Sequence, residues 1–216
     1  MTIQRLPIYP SSEVLFPGQV LPLYQDDGHM AHIIRRHQQK QRPMGIVFIE
    51  QPQRHTFSTV GTQARLINLT ERVKYNAQVT VAVGQSRFRI LQLHQDHDYM
   101  EATIETWPWL ETPAPDWAVI NTVGEYLRRY IEALADSLPP TLFPDAVAPN
   151  VATLGVLAAV ILQLPPGDKQ RLLELPTAQA LLHNVLKHLR IYVPLAEKLA
   201  QMLPPTLETY ENILMN

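Results

Sequence analysis

Hydrophobic and polar positions alternate with a period of two through most of the first 107 residues, the pattern of strands that bury one face. Arg5 to Tyr9 and Gln19 to Tyr24 are short apolar runs bounded by prolines, and Met44 to Glu50 reads as a buried strand. Phe57 to Leu69 and Lys74 to Val83 follow, the latter setting Val79, Val81 and Val83 against Gln78, Thr80 and Ala82. Arg87 to Leu93 alternates again, with Phe88 and Ile90 opposite Arg87, Arg89 and Leu91. Tyr99 to Glu105 places Met100, Ala102 and Ile104 on a dry face and Glu101, Thr103 and Glu105 on a wet one. One helix, His29 to Gln41, interrupts the series. This many strands predict a barrel that closes or nearly closes, because closure removes exposed sheet edges.

After a Pro-Trp-rich connector, Trp107 to Pro115, the period lengthens. Asp116 caps a predicted helix carrying Val119, Val123, Tyr126 or Leu127, Tyr130 and Leu134 on one face. Asn150 to Leu164 forms a second, with Val151, Leu154, Leu157 or Ala158, and Ile161 as its stripe. Asp168 caps a short third helix through Leu175. Thr177 caps a longer fourth one bearing Leu182, Val185, Leu189, Val193, Ala196, Leu199 and Leu203, which Pro194 should kink or split. The expected class is α+β, with a barrel subdomain over residues 1–107 and a helical bundle over 116–216.

Composition narrows the functions. A chain of 216 residues with 46% hydrophobic content can bury a substantial core. The formal net charge of -2 gives no overall basic field and weighs against non-specific nucleic-acid binding. The absence of cysteine removes disulfides, thiolate metal sites and cysteine nucleophiles. The first ten residues lack the basic start and apolar run of a signal peptide, and no stretch reaches the roughly 20 apolar residues that span a bilayer. The expectation is a cytoplasmic protein that does not enter the membrane.

Leu6-Pro7-Ile8-Tyr9-Pro10, Val14-Leu15-Phe16-Pro17-Gly18 and Leu21-Pro22-Leu23 look like the opening of the N-terminal domain of Lon proteases. Gly45-Ile46-Val47, Val60-Gly61-Thr62-Gln63-Ala64-Arg65-Leu66 and Gly84-Gln85-Ser86-Arg87-Phe88-Arg89-Ile90 are similar to later blocks in the same order. The helical half is similar more loosely, through Leu164-Pro165-Pro166-Gly167-Asp168-Lys169-Gln170 and Leu172-Leu173-Glu174. The resemblance implies a PUA-like mixed barrel with one helix, joined to a helical bundle, that contacts unfolded or tagged protein clients. One departure stands out. Where the family continues with Glu-Pro and Arg-Tyr at the start of its helix, this chain reads Gln25-Asp26-Asp27-Gly28-His29. On physical grounds Pro17-Gly18 is a turn, and Gly61 and Gly84 are expected at strand ends, where a bulge or turn needs them.

The candidate chemistry is sparse. The P-loop ATPase and Ser-Lys dyad of a whole Lon protease have no counterpart here, and no Gly-x-Ser-x-Gly elbow surrounds Ser86. His29, His32 and His37 share a helix beside Asp26 and Asp27, a spacing that can hold a metal but equally describes a solvated face next to Arg35, Arg36 and Lys40. His94 and His97 around Asp96 and Asp98 read as a hydrophilic turn, and Glu101 with Glu105 as the solvent side of a strand, not a glycosidase pair. The favoured function is therefore non-catalytic binding of unfolded or extended protein segments, without cofactor or metal, with a protease or chaperone as partner. Tyr24, Phe48 and Phe57 are the candidate aromatic contacts and Arg65 a polar anchor. Nucleic-acid binding through Arg35, Arg36, Lys40 and Arg42 is the alternative, and a metal-dependent hydrolase the third class.

Overall fold

The computed structural model describes residues 2–23, 29–51, 56–69, 79–94, 99–112, 116–134 and 151–202. Among the described residues, six strands and five helices follow in chain order: β1 (Ile3–Ser11), β2 (Val20–Leu23), α1 (His29–Gln39), β3 (Met44–Gln51), β4 (Thr56–Leu69), β5 (Val79–His94), β6 (Glu101–Thr106), α2 (Trp117–Leu134), α3 (Val151–Ile161), α4 (Pro166–Leu173) and α5 (Ala178–Met202). The architecture is α+β, as expected. The chain divides into two compact units, Met1–Leu110 with Gln163–Pro176, and Glu111–Leu162 with Thr177–Asn216. The α4 segment, which the sequence reading grouped with the helical bundle, thus belongs with the strands.

In the first unit the strand order is β2-β5-β4-β3-β1-β6, and β6 also pairs with β5, so five strands close into a ring to which β2 is appended. All pairs are antiparallel except β1 with β3. Closure needs a strand long enough to be shared, and β5 supplies it. Its first half pairs with β2 over Thr80–Val83 and its second half with β6 over Phe88–His94. The two segments predicted as separate strands around Gly84 are therefore one continuous strand. Gly84 and Gly61 lie inside strands, not at strand ends. The physical reason is space. A Cβ on Gly61 would come within 2.8 Å of Phe88 Cζ and 2.5 Å of the Ile46 carbonyl, and Gly84 is pressed against the Phe16 carbonyl. A register shift between Gln63 and Ala64 does place a bulge beside Gly84.

Two buried clusters follow from the alternation. Leu6, Ile8, Val47, Phe88, Ala102 and Ile104 fill one, with Phe57, Ile90 and Met100 half-buried against it. Ile33 and Ile34 of α1 pack on Met44, Ile46, Ala64, Leu66 and Ala82, with Leu15 and Leu23, in the other. The Phe16-Pro17-Gly18-Gln19 turn forms as its residues predict: Gly18 takes φ +81, and the Gln19 amide donates to the Phe16 carbonyl at 3.1 Å. That turn is sewn to β5 by Gly18 N to Gly84 O and Gly84 N to Gln19 O, both 2.9 Å, and to β4 by Thr62 Oγ1 to Leu15 O at 2.5 Å. The blocks that carry the Lon resemblance thus touch one another.

The second unit is helical. Asp116 Oδ1 accepts from the Ala118 amide at 2.9 Å and Thr177 Oγ1 from the Ala180 amide at 3.1 Å, so both predicted caps form. Val123, Leu127 and Tyr130 of α2 are buried, as are Leu182, Val185, Leu189, Val193 and Ala196 of α5. Three details depart from expectation. Helix α3 buries Leu154, Gly155, Val156, Ala158 and Ala159, wider than a single stripe, because Gly155 lets the Leu181 side chain come close. Pro194 sits inside a single 25-residue helix that is not split. In the first unit, α4 is capped by Pro165 with Pro166 in its first turn, while Asp168 makes no cap bond and pairs with Arg171.

Candidate functional site

The expected contact residues do not all fall together. Tyr24 lies outside the described residues. Phe57 stands opposite Ile49 across the β3–β4 pair, next in sequence to Phe48, and register shifts on either side of Ile49 loosen the ladder there. Both phenylalanines are half-buried, and Phe57 leans on the Phe88 cluster. Arg65 is exposed and pairs with Val83, roughly 25 Å along β4 from Phe57. Phe48 and Phe57 therefore lie near the same end of the β3–β4 pair, and Arg65 lies towards the other end of β4.

The wet face of β6 is bound up in cross-strand ion pairs. Glu101 accepts from Arg5 Nε of β1 at 2.6 Å, and Glu105 from Arg89 Nη2 of β5 at 2.9 Å. Both carboxylates are thus engaged across the ladder. His94 Nε2 lies 2.7 Å from Thr103 Oγ1. On α1, burial and the neighbouring Arg42 and Arg36 hold the His37 imidazole below its ordinary pKa, and its buried Nδ1 has no hydrogen-bond partner. The side chains of His29 and His32, and all of His97, lie outside the described residues, among which no group of acidic and histidine side chains is arranged to hold a metal.

One densely engaged polar side chain is Arg87, which the alternation of β5 sets opposite Phe88 and Ile90. Arg87 is 2% exposed. Its guanidinium carbon sits 4.2 Å from the Trp107 ring centroid and 4.0 Å from that of Trp109. Its Nε donates to the Trp107 carbonyl at 2.7 Å, and its Nη1 to the carbonyls of Leu173 and Leu175, both at 2.6 Å. Leu173 is the last residue of α4 and Leu175 lies just past its C-cap, Glu174, where a helix leaves acceptors unsatisfied and its dipole favours a cation. Burial pushes the Arg87 pKa down to about 9, which leaves the group charged at neutral pH. Gln170 adds a second tie: its amide donates to the Val60 carbonyl of β4 at 3.1 Å and to Glu174 at 2.7 Å. The Leu110 amide donates to the Pro176 carbonyl at 3.0 Å. Arg87 is thus a cap and a clamp that fixes segment 163–176 to the barrel wall. The signal for it was in the sequence, as two tryptophans closely spaced in the connector, but nothing there paired them with this arginine.

The strands close into a barrel to which α4 returns, and Arg5, Glu101, Arg89, Glu105 and Arg87 are engaged within it. Residues 5–190 match the family model of the ATP-dependent protease La (LON) substrate-binding domain, and the chain belongs to that family. It is similar to a Lon protease of Anaeromyxobacter dehalogenans, 28% identical over 194 residues, and to Lon protease 2 of Myxococcus xanthus, 27% identical over 196. Those alignments take in 84% and 85% of this chain but only 22% and 23% of the relatives, so the chain spans about a quarter of their length at most. Among solved structures, a Lon N-terminal domain protein from Xanthomonas campestris shares the fold with a TM-score of 0.65 at 18% identity, covering 85% of this chain and 98% of that one. The N-terminal domain of the Mycobacterium avium complex Lon protease gives 0.63 at 15%, covering 87% and 98%. No described helix is long and apolar enough to cross a membrane.

Proposed function

We propose that this chain is a non-catalytic module that binds unfolded or extended protein segments. The observation that carries the reading is the match of residues 5–190 to a substrate-binding domain. Support comes from the barrel itself, where Glu101, Glu105, Arg89 and Arg87 are held in ion pairs or carbonyl cages and not poised for chemistry. The contact surface we propose is the end of β3 and β4 around Phe48 and Phe57, with Tyr24 and Arg65 as further contacts. The loosened ladder at Ile49 suits it, since a client strand can add main-chain hydrogen bonds with little demand on sequence. A protease of the Lon type, or a chaperone, is the partner that would receive such a client. The working compartment under this proposal is the cytoplasm, where a chain free of cysteine loses nothing to a reducing environment.

The test is fluorescence anisotropy with a labelled, permanently unfolded probe, reduced and carboxymethylated lactalbumin, against wild type and Phe48→Ser. Saturable binding that Phe48→Ser weakens at least about tenfold, with an unchanged melting temperature, is the expected result. Absence of binding to the unfolded probe rejects the client reading. Full binding by Phe48→Ser moves the site elsewhere.

A further inference from the structure

Helix α5 carries two apolar faces. Leu182, Val185, Leu189, Val193 and Ala196 are buried in the second unit. Ile191, Leu195, Leu199 and Met202, spaced four, four and three residues apart, share another face and are exposed by 66%, 52%, 52% and 71%. The sequence pattern assigned Leu199 to the core stripe, and the structure places it outside. A single exposed leucine is ordinary, but four apolar residues in line over three turns form a patch of the kind that marks an interaction surface.

The charges beside the stripe have one sign. Lys187, Arg190 and Lys198 are exposed, and the helical period sets all three along one flank of it. The only carboxylate of α5, Glu197, is held in two bonds by Arg129 of α2, at 2.9 and 3.0 Å. On α2 itself, Glu132 is paired with Arg128 at 2.5 Å, and Glu125 lies in the field of Arg129. Among the described residues, the apolar strip carries cations on its flank and no carboxylate is paired with them. The same face of a second copy would bring the same cations.

We infer that this face of α5 binds an amphipathic protein segment whose apolar residues are flanked by Asp and Glu. The segment lays its apolar residues over Ile191, Leu195, Leu199 and Met202 and sets its carboxylates against Lys187, Arg190 and Lys198, the helix-in-groove mode of recognition with charge fixing orientation. This surface is separate from the one around Phe48, so a failure of either proposal leaves the other standing.

The experiment uses the full chain and two synthetic helical peptides of about 16 residues, a length at which an isolated helix is marginal and is ordered on binding. Both carry Leu at helical spacing, one with Glu on the flanks and its twin with Lys at the same positions. Fluorescence anisotropy should show the Glu peptide binding at least about tenfold tighter than the Lys peptide, with the preference shrinking at high salt. Leu195→Ser with Leu199→Ser should abolish binding of the Glu peptide. Lys187→Glu with Lys198→Glu should reverse the preference between peptides, a result no folding defect can imitate. Equal affinity for the two peptides, or wild-type binding by the serine variant, overturns the inference. So does light scattering that shows a dimer broken by the serine variant, or co-sedimentation with phosphatidylglycerol vesicles abolished by it, since either gives the face a different occupant.

Discussion

Arg87→Ala is the sharpest perturbation of this fold, because one side chain links three carbonyls and two indoles. Removing it leaves the carbonyls of Trp107, Leu173 and Leu175 without their donor and opens a gap between Trp107 and Trp109. A hydrogen bond to a charged donor contributes roughly 1.5–3 kcal/mol, but deleting the guanidinium also removes the cost of keeping a cation out of water. A net loss of about 1 kcal/mol per bond is the balance of those two effects. The ring contacts add about 1–2 kcal/mol where solvent is excluded. The expected destabilisation is therefore about 4 kcal/mol, or about 8–16 °C in melting temperature for a chain this long.

Calorimetry measures the total and shows whether it falls on one transition or two, since two compact units need not unfold together. Hydrogen exchange locates it. Released from the barrel, the amides of α4 should exchange about two to three orders of magnitude faster, while those of β3 and β4 change less. Arg87→Lys should recover less than half of the loss, because an ammonium group is a point donor that cannot span the Trp107 carbonyl and the end of α4 in one plane. A loss below about 1 kcal/mol, or unchanged exchange over residues 163–176, refutes the clamp.

Gly45→Ala should cost about 1–3 kcal/mol by overpacking, since its Cβ would meet Ile8 Cδ1 at 2.7 Å and Phe88 Cζ at 2.9 Å. Phe88→Leu should recover part of that cost in a double-mutant cycle by urea denaturation, and strictly additive losses would disprove the contact. Burial holds the His37 pKa in the folded state below the ordinary imidazole value of about 6.5, so its contribution to stability is present above about pH 6.5 and is lost as pH falls through the lowered folded value. His37→Gln should flatten the slope of stability against pH on the acid side of 6.5, and an identical slope in wild type and variant would remove His37 from the account.

What the sequence made legible was whatever a periodicity or a local turn determines. The strands other than β5, the helix after β2 and the caps at Asp116 and Thr177 all rest on residues within a few positions of one another. Gly84 shows where that ends. A glycine between two apolar runs reads as a turn, yet this one sits inside a continuous strand because the Phe16 carbonyl, 68 positions earlier in the chain, occupies the space of a Cβ. Asp168 shows the same limit on a shorter scale. It has the residue type of a cap, but Pro165 and Pro166 begin the helix first and Asp168 is drawn to Arg171.

Arg87 and Arg89 make the point most directly. They occupy equivalent places in the alternation of β5, and local pattern gives both a solvated face. Arg89 meets Glu105 directly across the ladder and stays exposed. Arg87 meets Thr62 on one side, with the tryptophans of the connector and the end of α4 closing over it, and it is excluded from water. The difference lies in segments that arrive 20 and 86 residues later. A buried cation with no carboxylate partner is tolerated only where acceptors are already fixed, and the end of a short helix is such a place. The arginine thus satisfies α4 as much as α4 shelters the arginine, and that mutual dependence is why segment 163–176 leaves the helical unit for the barrel.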